Sequence, residues 1–299
     1  MSKSSVIAGL GVGIALGTAF GFFALAPNVE GGPAGNSSAI QQELNAEKKR
    51  ADVEELQSNA ANDLLNQFNG DIVDGSLADT SVAVVLAPDA VDADVDALKK
   101  VLENAGATVN ATIELTDKAT STDGADSLKS LASKSLPSGA TLSEDKLSPG
   151  MHTGQLLGAA LSDKTSESDR AVAIGALEKE GFLSHDGEVK DASLVVVVAG
   201  NADKDDQDGN YSNTFLSDLA LGVDSSTDGA VLAARPSSAA KGGAVALVRG
   251  SREHVENVST VDNINADSGR ISVIHELEKQ KDNQSKHVGV GENASALTA

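Results

Sequence analysis

The chain opens on an apolar run. Val6 to Ala26 reads VIAGLGVGIALGTAFGFFALA without a charge. At 1.5 Å per residue the run reaches ~32 Å, the thickness of a bilayer's hydrocarbon core. The pattern predicts a transmembrane helix over 6–26. Lys3 precedes it, and the next basic residues are Lys48, Lys49 and Arg50. Positive charge gathers on the cytoplasmic side, so residues 1–5 are expected inside and the bulk of the chain outside. A cleaved signal peptide is the rival reading, because Ala24-Leu25-Ala26 has the small-x-small form of a cleavage site. The run exceeds the roughly 7–15 apolar residues of a signal, and Pro27 directly after the cut makes a poor protease substrate. Retention of the anchor is therefore expected. Gly9, Gly13, Gly17 and Gly21 recur every fourth residue, a ridge that lets membrane helices approach and associate.

Residues 27–37 are a Pro/Gly/Asn/Ser linker. From 38 to 70 the pattern turns helical: Ile40, Leu44, Ala51, Leu56, Ala60, Leu64 and Phe68 form an apolar stripe among charged residues. Such a stalk helix buries its stripe either against a second copy, as a coiled coil, or against its own globular domain. The spacing is not a regular heptad; the membrane ridge favours the second copy. Beyond the stalk, strands and helices alternate. Ser81–Ala87 is a continuous apolar strand, a helix starts at Asp92 and stops at Gly106, and Val109–Leu115 alternates as a second strand. Helices are expected near 124–135, 151–162, 168–180 and 213–222. Strands are expected at 194–198, 230–234 and 243–248, and Arg270–His275 reads as a last strand or a helix start. This order predicts an α/β domain over 71–280, Rossmann-like or flavodoxin-like, with a mainly parallel sheet. The polar stretch 281–299 reads as a disordered tail.

Composition changes the picture in three ways. With 44 acidic against 23 basic residues the formal charge is −21. A chain so acidic repels nucleic acid, which is bound through Lys and Arg. Aromatic residues are 2% of the chain, so the core is built from Ala, Val, Leu and Ile. There is no cysteine, which removes disulfides, thiolate nucleophiles and thiolate metal sites together.

Three segments carry a resemblance: LPSGATLSEDKLSPGMHTGQLLGAAL at Leu136–Leu161, STVDNINADSGRISVIHEL at Ser259–Leu277, and VAVVLAPDA at Val82–Ala90. They resemble the MctB/SteB family of actinobacterial envelope proteins, and the similarity extends over nearly the whole chain. The resemblance implies two functions. One is copper transport in the outer membrane. The other is cell separation, in which the protein works with a membrane partner of SteA type to control peptidoglycan hydrolases.

Copper chemistry should show its ligands. Cu(I) prefers Cys and Met, and Cu(II) takes His and carboxylate. Met151-His152, read as exposed before a helix, is an isolated pair, and His185, His254, His275 and His287 are scattered without metal-ligand spacing. Asp203, Asp205, Asp206 and Asp208 form an acidic loop after the strand at 194–198. It fails as an EF-hand because the sixth position is Asp208 rather than Gly and the twelfth is Thr214 rather than Glu. Clustered carboxylates still attract hard cations, so calcium or copper there, or a small ligand at the end of the sheet, is the alternative. A pore needs several helices or a closed barrel, and one helix supplies neither. No Walker sequence, nucleophile elbow or Cys/His pair is present, so no enzyme is expected. The sequence thus predicts a non-catalytic, dimeric scaffold, single-pass in the inner membrane, with no resident cofactor. A copper-transport protein of the outer membrane is the alternative, and a small-ligand-binding domain is the third reading.

Overall fold

The computed structural model describes residues 37–201 and 207–299. The expected membrane span 6–26 and its glycine ridge lie outside the described residues. Among the described residues no helix is long and apolar enough to cross a membrane.

The chain divides into two compact units, Met1–Leu56 and Gln57–Ala299. Helix α1, Ser37–Val73, contributes residues to both. The second unit continues with β1 (Ser81–Leu86), α2 (Asp92–Asn104), β2 (Thr108–Leu115) and α3 (Ala125–Lys134). Helices α4 (Pro149–Leu161) and α5 (Glu167–Lys179) follow, then β3 (Leu183–His185), β4 (Leu194–Val198) and α6 (Gln207–Asp224). The chain then forms β5 (Gly229–Ala233), α7 (Ala244–Gly250), α8 (Arg252–Asn257), β6 (Ser259–Val261), α9 (Asp267–Gln280) and β7 (His287–Val288).

One seven-stranded sheet takes the order β3-β2-β1-β4-β5-β6-β7. All pairings are parallel except β3 on β2. The first six strands follow the Rossmann order rather than the flavodoxin one, and the winding direction reverses between β1 and β4. Strands β1, β4 and β5 are buried along nearly their whole length, as their unbroken Val/Leu/Ala runs require in a sheet covered on both faces. Successive side chains serve opposite cores. Ala83 and Val85 pack with α4, α5 and α6 on one face, while Val82, Val84 and Leu86 pack with α2 and α9 on the other.

Two expectations are corrected, and the open reading of Arg270–His275 is resolved to a helix. The expected strand 243–248 falls in helix α7 and its cap. The run AVALV is too short for periodicity to separate a strand from a buried helix. What decides is that Ala244, Val245 and Val248 are buried at helical spacing, and that the Ser238 hydroxyl accepts the Val245 N–H (3.2 Å). Arg270–His275 lies inside α9. The tail beyond 280 is ordered, because β7 pairs with β6 and the chain returns to bridge Val288 with Ala296. Its anchors are backbone hydrogen bonds to buried partners, which a polarity profile does not register.

Candidate functional site

Open parallel sheets bind ligands in the crevice where the winding reverses, at the carboxyl ends of the strands. Here the loops after β1 and β4 touch directly at Asp89 and Gly200. Asp89 Oδ1 accepts the Gly200 N–H (3.1 Å), and a Cβ on Gly200 would lie 1.9 Å from the Asp89 carbonyl oxygen. Along the same edge the Ser237 hydroxyl meets Asn201 Oδ1 (3.0 Å) and Arg235 Nε donates to Asp94 Oδ2 (2.7 Å). The Asp94 partnership pushes the Arg235 guanidinium above its ordinary pKa. Past β6, Arg270 donates to the Ile264 carbonyl (2.9 Å) and pairs with Asp267 (2.9 Å). Asn263 Oδ1 and Arg270 Nε are buried without a hydrogen-bond partner. Two arginines of this row are each paired with an aspartate, Arg235 with Asp94 and Arg270 with Asp267. Of the acidic loop predicted here, Asp203, Asp205 and Asp206 lie outside the described residues, and Asp208 falls in the first turn of α6.

Helix α4 carries the motif that holds Met151 and His152. Ser148 caps it by accepting the Met151 N–H (3.2 Å), and Pro149 occupies the first turn. The pair is not exposed before a helix: Met151 is 4% and His152 5% exposed within its first turn. Met151 packs in the core, and His152 Nε2 donates to the Ser143 carbonyl (3.1 Å), with Nδ1 buried and unpartnered. Neighbours on a helix diverge by about 100°, so the thioether and the imidazole do not converge on one ion. Gln155 Oε1 accepts the Ser143 N–H (2.9 Å), so His152 and Gln155 together clamp the preceding loop.

The glycines of α4 explain the rest of that motif. A Cβ on Gly150 or Gly154 would lie 2.3 Å from the carbonyl oxygens of Phe215 or Leu219 on α6. One on Gly158 would lie 2.7 Å from Ser226 Cβ, and one on Gly222 of α6 would lie 2.3 Å from the Met151 oxygen. The two backbones touch along a glycine seam. The i, i+4, i+8 spacing that signals it is legible in the sequence, in the same form as the ridge at Gly9–Gly21.

A second network, unforeseen in the sequence, joins α7, β6 and the C-terminal segment. Arg249 and Asp262 form an ion pair (2.7 Å) whose side chains are both fully buried. Arg249 also donates to Thr260 Oγ1 (2.9 Å) and to the carbonyls of Val288 (2.9 Å) and Glu292 (2.9 Å). Asp262 Oδ1 accepts the N–H groups of Val290 (2.7 Å) and Gly291 (3.1 Å). Burial lowers the Arg249 pKa, and Asp262 opposes the shift. Its residues lie far apart in sequence, so no local spacing marks it.

Three other histidines, His185, His254 and His275, have ordinary surroundings. His185 and His275 lie near Glu178 and Glu278 at 3.8 and 3.6 Å. His254 bridges Ser251 (2.7 Å) and Asp218 (3.1 Å); Ser251 immediately precedes α8, so the arrangement serves the start of that short helix. Among the described residues no group of three His, Cys, Asp or Glu is placed to hold a metal ion. On α1, which also includes Ile40, the stripe residues Leu44, Leu56, Leu64 and Phe68 are 52%, 68%, 40% and 49% exposed, and Ala51 and Ala60 are exposed too. Within the second unit, Val73 is buried in the core and Leu65 and Ile72 pack against it.

Fold and networks define a Rossmann-ordered α/β domain with two arginine–aspartate pairs along its carboxyl edge. The chain belongs to the family described as copper transport outer membrane protein, MctB, whose model matches residues 5–299. It is 29% identical over 320 residues to the copper transporter MctB of Mycobacterium tuberculosis, covering 100% of this chain and 96% of that one. To the copper transporter MctB of Mycobacterium leprae it is 31% identical over 249 residues, covering 78% of this chain and 77% of the other.

Proposed function

We propose that this protein takes part in copper handling at the cell envelope, as a non-catalytic, membrane-anchored component of an assembly. The observation that carries this reading is the family match over 5–299, together with relatives named copper transporters along their full length. The role assigned is that of an assembly component because Met151 is packed in the core and His152 is turned to the Ser143 carbonyl. The anchor at 6–26 would make the protein single-pass in the inner membrane with its N-terminus cytoplasmic, whereas the family description names the outer membrane. The test is deletion of the gene with growth, and cellular copper, followed across a copper series. Copper sensitivity with raised cellular copper, restored by wild type and equally by M151L and H152Q, is the expected result. Unchanged copper tolerance overturns the reading.

A second reading is favoured by the exposed stripe of α1. In it the stalk and the glycine ridge form a homodimer that recruits a membrane partner of SteA type and so regulates a cell-wall hydrolase during cell separation. The deletion strain separates the two, since chained cells without added copper would support this reading alone.

A further inference from the structure

We propose that the C-terminal segment 286–296 is a pH-sensitive strap, which docks on the edge of β6 near neutrality and is released on acidification while the rest of the sheet stays folded. The inference does not depend on the copper reading.

The trigger is the hydrogen-bond order around His287, which is 8% exposed. Its Nε2 faces the Val255 carbonyl (3.1 Å). A carbonyl only accepts, so Nε2 carries the proton and Nδ1 must be the acceptor. Nδ1 faces Thr260 Oγ1 (3.0 Å), and that same oxygen receives the Arg249 Nε–H (2.9 Å). Thr260 therefore gives its hydroxyl proton to His287. The relay runs one way, from Arg249 through Thr260 and His287 to Val255. A second proton on the ring breaks this order: the Thr260 hydroxyl must turn away and accept from both Arg249 and His287, and a buried positive charge is set beside the Arg249 guanidinium.

The surrounding charges are few. From α7 comes Arg249, balanced by Asp262 at the end of β6. From α9 comes Glu276, which favours the protonated ring but is shared with Lys279 (2.8 Å) and Ser259 (3.4 Å). On α8, Glu253, His254 and Glu256 are engaged with Lys146, Asp218 and Arg252. Lys286 adjoins His287 in the chain and adds like charge. Burial is the largest influence and lowers the His287 pKa below its ordinary value.

The strap is built to leave as a unit. It is held by β7's two-residue pairing with β6, by Arg249 on two of its carbonyls and by Asp262 on two of its N–H groups. Released, His287 takes up a proton with the ordinary histidine pKa near 6.5. The open state then gains ~10-fold in population per pH unit below that value.

Hydrogen exchange of the full-length protein at pH 7.5, 6.5, 5.5 and 5.0, corrected for intrinsic exchange, reads the strap directly. Exchange within 287–296 should rise ~10–30-fold from pH 6.5 to 5.0, with β1 and β4 unchanged. H287Q should lose this dependence. T260V, which deletes the hydroxyl that favours the neutral docked ring, should raise exchange at pH 7.5 and flatten the rise below pH 6.5, because the docked ring then takes up the proton more readily while the open ring is unchanged. If H287Q is already open at pH 7.5, wild type and T260V decide. Flat wild-type exchange, a loss of protection shared by β1 and β4, or coincident wild-type and T260V profiles would overturn the proposal.

Discussion

Single side chains hold charges in this fold at unequal cost. Asp224, at the last turn of α6, is half-buried, and desolvation lifts its pKa from 3.8 to about 6, although the Ala230 N–H bond (3.2 Å) pulls it down. A raised carboxylate means that the folded state holds a proton the unfolded chain has lost between those two values. Asp224 therefore leaves stability untouched below pH 4 and subtracts from it as pH rises through 6. D224N keeps the acceptor without the charge, and should raise stability at pH 7.5 by ~1–3 kcal/mol, with little effect near pH 4, in denaturant titrations. Arg249 is the opposite case. R249M strands a buried Asp262 and two strap carbonyls, and should cost about 3–5 kcal/mol by the same titration. Neither residue announces itself in the sequence. Asp224 is one of 44 acidic residues, and the partners of Arg249 lie 11 to 43 positions away.

At the scale of elements, the legible parts were those with long one-way periodicity. The apolar runs of β1, β4 and β5 need two covered faces and nothing else satisfies them, so strand and sheet type followed together. Helix α7 was misread because five apolar residues fit either period. Strand β6 was missed because it is three residues long, and β7 because it is two. The Met151-His152 pair looked exposed because its residue types suggested chemistry, whereas the glycines around it set the packing. That seam gives a paired prediction. G154A places a methyl against the Leu219 carbonyl and should destabilise the domain by ~2–4 kcal/mol. G175A, on α5 with open space around it, should stabilise by ~0.5–1 kcal/mol through helix propensity. Thermal unfolding of the two variants beside wild type checks both signs.

For the molecule as a whole, the outstanding surface is the stripe of α1. Exposure of Leu44 and Leu56 is costly in water unless a partner covers them. If the covering partner is a second copy, replacing both with Gln should weaken self-association about tenfold or more, read by cross-linking across a concentration series. The sheet should keep its protection in that variant. The strap bears on the molecule differently, through the order in which the chain is made. Arg249, β6 and Asp262 are synthesised before Val288, Val290, Gly291 and Glu292 exist to receive them. Until synthesis passes those residues, a buried ion pair waits half-partnered beside an open strand edge. A released chain truncated just before His287 should be cut by protease at β6, while β1, β4 and β5 resist.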